Sequence, residues 1–442
     1  MTREAKILIL VLIMLLLPMC AGAEFYGETP PFQRVTQSMV RERPGYGLYL
    51  DRSYPQTACP SVDEELRALV DDMTEKALPY FPEKAVNPAE GAFLNTAASV
   101  TRTGDSWMSF LVITDILDGR EQQYVDMQTR AYDMATGQRL TLDDILADEE
   151  AWKILQQEAQ KQLAGYYLAE EADSQILEAL TAVEALHTAD FTLDTAFLRL
   201  HYRADSLYAG HQTVMHVRVP YSALRGHLTE EAERQTDNSR WQLVALTLDD
   251  GPVRQRTHRL IRNMRNGCAN ATFFIVGDRI ILAHDFLCLA QDAGFELASH
   301  NYHHAYKRQN IGHVIEYRDR LITELSAVTG TNVSIMRSPG GDERVFIEEH
   351  VGLPLIHWTV VSNAQNQVVP YPPREAKRLA NMIQDGDIVL MHDLHEGIDE
   401  VFLTLPQMLA ERGFLCVTVD ELFAARGIEL MPDTVYYHAR TE

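Results

Sequence analysis

The sequence predicts two unlike halves: a smaller α+β domain, followed by an α/β domain built on a parallel sheet with helices outside it. Three observations predict this. At 442 residues the chain is too long for one ordinary core. Before about residue 228, apolar residues alternate along extended stretches. After Trp241, short apolar runs alternate with amphipathic helical stretches, the rhythm of repeated βα units.

The elements follow in order. Arg3 and Lys6 precede an apolar run from Ile7 to Leu17, then Pro18 and the small residues Ala21, Gly22 and Ala23. That order reads as a secretory signal over residues 1–23, and the run is short for a membrane span. An uncleaved anchor and lipidation at Cys20 are the alternatives, although Met19 fits a lipobox poorly. Nothing later in the chain is long and apolar enough to span a bilayer. Residues 24–39 form an extended lead-in and 40–228 the α+β domain. Within it, Gln123–Asp133, Phe197–Arg203 and Val214–Tyr221 alternate as half-buried strands. Thr141 and Asp143 can cap short helical segments, and Trp152, Leu155, Ala159 and Leu163 recur at helical spacing. Polar residues dominate 229–240, which reads as a linker or the fraying end of a helix. The α/β domain takes 241–430 and a tail takes 431–442. Its seven apolar runs are near the number for a closed barrel, though a doubly wound sheet is equally open at this level.

Composition excludes some functions. A net charge of −24 argues against nucleic acid or anionic membrane as a partner. The cysteines beyond the N-terminal segment, Cys59, Cys268, Cys288 and Cys416, have no CxxC spacing. They suit neither a disulfide framework nor a zinc finger, and the last three read as buried thiols.

The unusual residues gather at the exits of the apolar runs. Asp249 and Asp250 leave the first, "SHNYHH" (299–304) the third, "RSPGG" (337–341) the fourth and "HDLHE" (392–396) the sixth. In α/β sheets those exits share one rim. An aspartate pair alone is usually a turn. One Asp and two His, however, supply three ligands and leave a position open, the pattern of catalytic zinc. Such a cation lowers the pKa of a bound water from about 15.7 to about 7. A second Asp can take that water's proton and a separate imidazole can protonate a leaving group. The cation also relieves the repulsion between adjacent carboxylates. His211, His216, His303, His357 and His395 read as surface or core polarity.

These residues resemble a known family, the polysaccharide deacetylases with a NodB-homology domain (carbohydrate esterase family 4). "TLDDGP" (247–252), "HNYHH" (300–304), "RSPGG" and "LMH" (390–392) match four of its motifs in order, with Asn301 in place of a hydroxyl residue. The resemblance implies a distorted (β/α)7-type barrel and metal-dependent removal of N-acetyl groups from glycans. It implies Asp249 as base, with Asp250, His300 and His304 holding a divalent metal, zinc first. It implies Arg337 as the residue orienting the base, the Gly340 backbone N–H as oxyanion donor and His392 as acid. One motif departs: "WTVVSNAQNQ" sets Val361, Ala364 and Gln365 where two aspartates and a tryptophan belong. Without that second acid His392 loses a partner that would raise its pKa. The resulting enzyme is expected to be slower, or to use another group such as Asn363. In the first half, the D-x-x-x-G turn of "DMATGQRLTLDDIL" (133–146), the aromatic strand after Phe191 and the ending "VPYSAL" (219–224) are similar to the accessory domain that precedes the deacetylase domain of Bacillus-type peptidoglycan N-acetylmuramic acid deacetylases, and to domains of lysozyme-sensing anti-sigma proteins.

The expectation is therefore an exported, extracytoplasmic deacetylase whose partner is cell-wall glycan, peptidoglycan first. Chitin, xylan and exopolysaccharide remain open. Membrane contact is expected only through the N-terminal segment. The rival from another class is a catalytically impaired glycan-binding or envelope-sensing protein, favoured by the altered fourth motif.

Overall fold

The computed structural model describes residues 35–440 except 58, 120, 167–172, 209–212, 240 and 305–312. The signal or anchor segment, most of the lead-in and His211 lie outside the described residues. Among the described residues no helix is long and apolar enough to cross a membrane.

The first half is built on a six-stranded sheet in sequence order: β1 (Thr36–Gly45), β2 (Leu48–Gln56), β3 (Ala92–Thr103), β4 (Trp107–Asp118), β5 (Glu121–Asp133) and β6 (Gln138–Arg139). All neighbours are antiparallel except the parallel pair β2 and β3. The alternation expected at 123–133 is present: Val125, Met127, Thr129 and Ala131 face inward along β5. A three-stranded antiparallel sheet follows, of β7 (Asp190–Leu193), β8 (Phe197–Arg203) and β9 (Val214–Pro220). The helix Glu149–Ala164 packs Leu155, Ala159 and Leu163 into the core of this part. Thr141 caps a short 3-10 turn, whereas the N-cap of the helix is Asp148 rather than Asp143.

The second half has mixed α/β content. Its parallel strands are β10 (Gln242–Gly251), β11 (Thr272–Ile275), β12 (Glu296–Ser299), β13 (Leu355–Ile356), β14 (Val360–Val361), β15 (Asp387–His392), β16 (Phe414–Val417) and β17 (Val435–Tyr436). A continuous sheet runs β12-β11-β10-β15-β14, and β16 pairs the beginning of β10. The closed seven-stranded barrel is not drawn by continuous ladders. Residues 333–337 contribute only single bridges, Met336 to Ser299 and Met336 to Leu355. The apolar run 354–360 splits into two two-residue strands facing different neighbours, β17 and β15.

Two boundary segments are built into the fold. Of the two readings of 229–240, the helical one is seen: Thr229 caps a helix, Glu230–Gln235. Buried Gln235 accepts from the backbone N–H of Asp105, 2.7 Å away. A polar residue buried as a turn cap carries no apolar period, so the pattern hid it. The stretch 431–440 is likewise sewn in, through β17 and through Ala439 N–H donating to Gly386 O at 2.8 Å. The halves also share a core. Leu111, Ile113, Val125, Met127 and Val214 pack with Phe286, Leu289, Ala290 and Ala293, and Phe32–Glu442 forms one compact unit. Cys288 is buried while Cys268 and Cys416 are partly buried, all as free thiols.

Candidate active site at the strand exits

Chain order delivers the rim residues to one place through the register of β10. Asp249 lies beside His392 in the parallel β10–β15 ladder. Ser299, the last residue of β12, precedes His300, and Met336, bridged to it, precedes Arg337. The convergence read from the sequence is therefore a consequence of strand pairing.

Arg337 is the anchor of the arrangement and is fully buried. Its Nη1 donates to Asp249 Oδ1 and to Thr247 Oγ1, both at 2.7 Å. Nε donates to Ile356 O at 2.9 Å and Nη2 to His357 O at 3.1 Å. Its guanidinium carbon lies 4.0 Å from the Phe274 ring centroid, a cation–π contact. Burial lowers its pKa, with Asp249 opposing. Arginine suits this place because its fork satisfies several acceptors while remaining charged.

Asp250 takes a left-handed backbone, φ 70°, a conformation that costs about 1–3 kcal/mol for a non-glycine residue and clusters at functional sites. That backbone separates the two neighbouring carboxylates. Asp249 faces Arg337, while Asp250 Oδ1 faces His304 Nε2 at 3.0 Å and His300 Nε2 at 3.3 Å. Asp250 Oδ1 is buried yet makes no well-angled hydrogen bond. His300 Nδ1 lies 2.9 Å from Arg337 O, so Nδ1 carries the hydrogen and Nε2 presents its lone pair. Among the described residues these three side chains bring one ligand atom each within 4.8 Å of one another. Converging lone pairs around an unsatisfied carboxylate oxygen are what a divalent cation would satisfy, and the donor set fits zinc or a similar ion. Burial opposes it, but His300 and His304 hold the Asp250 carboxyl well below the usual range. Asp250 in turn raises His304. Asn301 is also left-handed, φ 64°, which Asn tolerates better than a β-branched residue.

His392 ends β15 half-buried, and burial pushes its pKa down. Its Nδ1 is buried without a hydrogen-bond partner. The β14–β15 register, Val361 beside Leu390, carries the chain after β14 toward His392, but Ala364 brings no acceptor. The neighbouring backbone is pinned by the Asn363 main-chain N–H, which donates to Glu375 Oε1 at 2.7 Å. Gly340 lies just past Arg337 in the turn Pro339–Gly341, with φ 69°.

Several contributors escaped the sequence reading. Asp393 is fully buried beneath the site. Its N–H donates to Asp249 O at 2.9 Å, and its carboxylate accepts from Val253 N–H at 3.3 Å and from the Thr257 hydroxyl. Burial pushes it up to about 6. Its carboxylate also explains Gly251, where an added Cβ would overlap Asp393 Oδ2. An acid directly after His392 at the mouth of a buried strand was the available signal. His395, set aside as polarity, lies against His392 with ring centroids 4.4 Å apart. Among the described residues, the imidazoles of the other histidines set aside have neighbours of their own. His303 pairs with Asp278 at 2.6 Å, His216 with His201 at 2.7 Å, and His357 stacks on Trp358.

Comparison with known proteins agrees with the resemblance. Residues 236–350 match the family model for polysaccharide deacetylase; this span holds every rim residue above except the β15 exit, His392 onward. The peptidoglycan-N-acetylglucosamine deacetylase PgdA of Listeria monocytogenes is 28% identical over 41% of this chain and 39% of its own length. A bifunctional xylanase/deacetylase of Pseudobutyrivibrio xylanivorans is 26% identical over 56% of this chain and 41% of its own. The peptidoglycan-N-acetylmuramic acid deacetylase PdaC of Bacillus subtilis is 20% identical over 57% and 58%. The chain thus spans about two fifths to three fifths of these relatives. Among solved structures, a T48 deacetylase with substrate aligns at 28% identity and TM-score 0.40, covering 45% of this chain and 98% of that one. The structure of PdaC aligns at 20% identity and TM-score 0.39, covering 42% and 93%.

Proposed function

We propose that the chain is an exported, metal-dependent deacetylase that hydrolyses N-acetyl groups of cell-wall glycan, with peptidoglycan as the first substrate to test. The carrying observation is the meeting of an Arg337-held Asp249 with the Asp250–His300–His304 cluster beside His392. In this reading residues 241–430 form the deacetylase domain and 40–228 the accessory domain.

Asp250, His300 and His304 would hold the cation, zinc by donor type. Bound there, a divalent ion makes a water more acidic and polarises the acetyl carbonyl. Asp249 accepts the proton of the attacking water, and Arg337 fixes which of its oxygens faces that proton. The Gly340 N–H is assigned to the oxyanion that forms. As the C–N bond breaks, His392 protonates the departing amine, and acetate and a free amino sugar leave.

The test is acetate release from peptidoglycan and from N-acetylglucosamine oligomers, with and without chelator. Chelator-sensitive release that Asp249→Asn abolishes supports the reading. No release from any substrate with zinc supplied favours the rival, a glycan-binding or envelope-sensing protein. What favours that rival is the unpartnered Nδ1 of His392.

A further inference from the structure

We propose that His395 is a positioning residue for His392, orienting its ring by packing where a carboxylate at position 364 would orient it by hydrogen bonding. This rests on reading His392 as the proton donor.

The terminal torsion of a histidine side chain is broad, so a ring without a hydrogen bond at Nδ1 swings unless a surface restrains it. His392 lacks that bond, yet its ring lies against the His395 ring, centroids 4.4 Å apart and planes inclined 32°. One tight turn joins the two residues, His395 N–H donating to His392 O at 3.1 Å. The turn is clamped from several directions. Asp393 N–H donates to Asp249 O at 2.9 Å, and Arg256 Nη1 to Leu394 O at 2.6 Å. Glu396 N–H donates to Gln367 O and accepts Val369 N–H at its own carbonyl, each at 2.8 Å. The His395 backbone is therefore held in place; its own Nδ1 also lacks a hydrogen-bond partner, so what limits the direction in which Nε2 of His392 points is the packing of the two rings on each other above that fixed backbone. Small misplacements of a reacting group are costly in rate, whereas substrate affinity should be unaffected.

The experiment compares the full chain with its His395→Ala and His395→Phe variants. With zinc chloride supplied, kcat and KM are read from acetate release on N-acetylglucosamine oligomers. Alanine should lower kcat about tenfold with KM within about twofold. Phenylalanine, which restores a flat face without a titratable nitrogen, should recover most of the loss. Unchanged kcat in the alanine variant, or a phenylalanine variant as slow as alanine, overturns the proposal. A second readout is independent of turnover: the His392 ring-proton NMR shift in histidine-labelled protein. Loss of the neighbouring ring current in His395→Ala should move it downfield, and an unmoved resonance overturns the proposal. If the wild-type chain releases no acetate, the deacetylase reading fails, while the NMR comparison still decides whether His395 restrains the ring.

Discussion

Replacing Arg337 by alanine removes a buried guanidinium from four acceptors at once: Asp249, Thr247, and the carbonyls of Ile356 and His357. The Asp249 carboxylate is left buried beside an empty space. Breaking a buried ion pair by deleting one partner costs about 3–5 kcal/mol. The Phe274 contact at 4.0 Å is worth up to about 2 kcal/mol when desolvated. These contributions overlap, so about 5 kcal/mol is the working figure. Folded domains hold roughly 5–15 kcal/mol in total, so the alanine variant should retain little stability. Lysine keeps the charge but lacks the fork, and forfeits two or so hydrogen bonds at about 1 kcal/mol each. Urea unfolding followed by circular dichroism measures both, provided the slope is unchanged. An alanine variant that loses less than about 1 kcal/mol, or a lysine variant as damaged as alanine, would refute the reasoning.

Other outcomes follow from the same geometry. Gly251→Ala forces a Cβ onto the Asp393 carboxylate. It should lower the melting temperature and acetate release together, and unchanged values for both would contradict this account of the glycine. Ala364→Asp offers His392 the acceptor it lacks. A carboxylate beside an imidazole favours the charged form, so the donor should persist to higher pH and kcat should rise. An unchanged rate and pH profile would count against the role given to the missing acid. Asp292 is pushed up to about 8 by burial, above its unfolded value. The folded state then holds a proton that the unfolded state releases, so stability falls as pH rises from about 4 to about 8. Asp292→Asn removes this slope. The stability difference, variant minus wild type, should become more positive between pH 5 and pH 8 in urea titrations, and a constant difference would rule the linkage out.

How much was legible depended on whether a residue's role left a pattern. Asp249, Asp250, His300, His304, Arg337 and His392 stood out because polar groups at the ends of apolar runs need a reason. The strand at 123–133 was legible because one of its faces is polar. By contrast β4 is buried along its entire length, so no alternation marks it. Gln235 and Asp393 are buried polar residues whose work is to hold nearby backbone, and single-sequence hydropathy reads such residues as loop. His395 was passed over because an imidazole three residues after His392 becomes a partner only through the turn that folds it back. The two-residue strands β13 and β14 were read as one run because nothing in "PLIHWTV" marks where the chain changes neighbour.

Three of the contacts between the halves lie at the end of the parallel sheet away from the strand exits. Ser99 donates to Ala293 O at 3.0 Å, Arg218 reaches Asp420 at 3.0 Å, and Val214 N–H reaches Asp292 at 2.6 Å. Ala293 lies just before β12 begins and Asp420 just after β16, while the candidate chemistry sits where β10, β12 and β15 end. A fourth contact runs closer to the site: Phe93 packs on His258, ring centroids 5.2 Å apart, one residue from the Thr257 that bonds Asp393. The first three bonds are fixed by residues before β12 and after β16, so substitutions in the loops at the exits of β12 and β15 leave them in place, whereas a change at Phe93 would be felt through α-helical His258 at the rim.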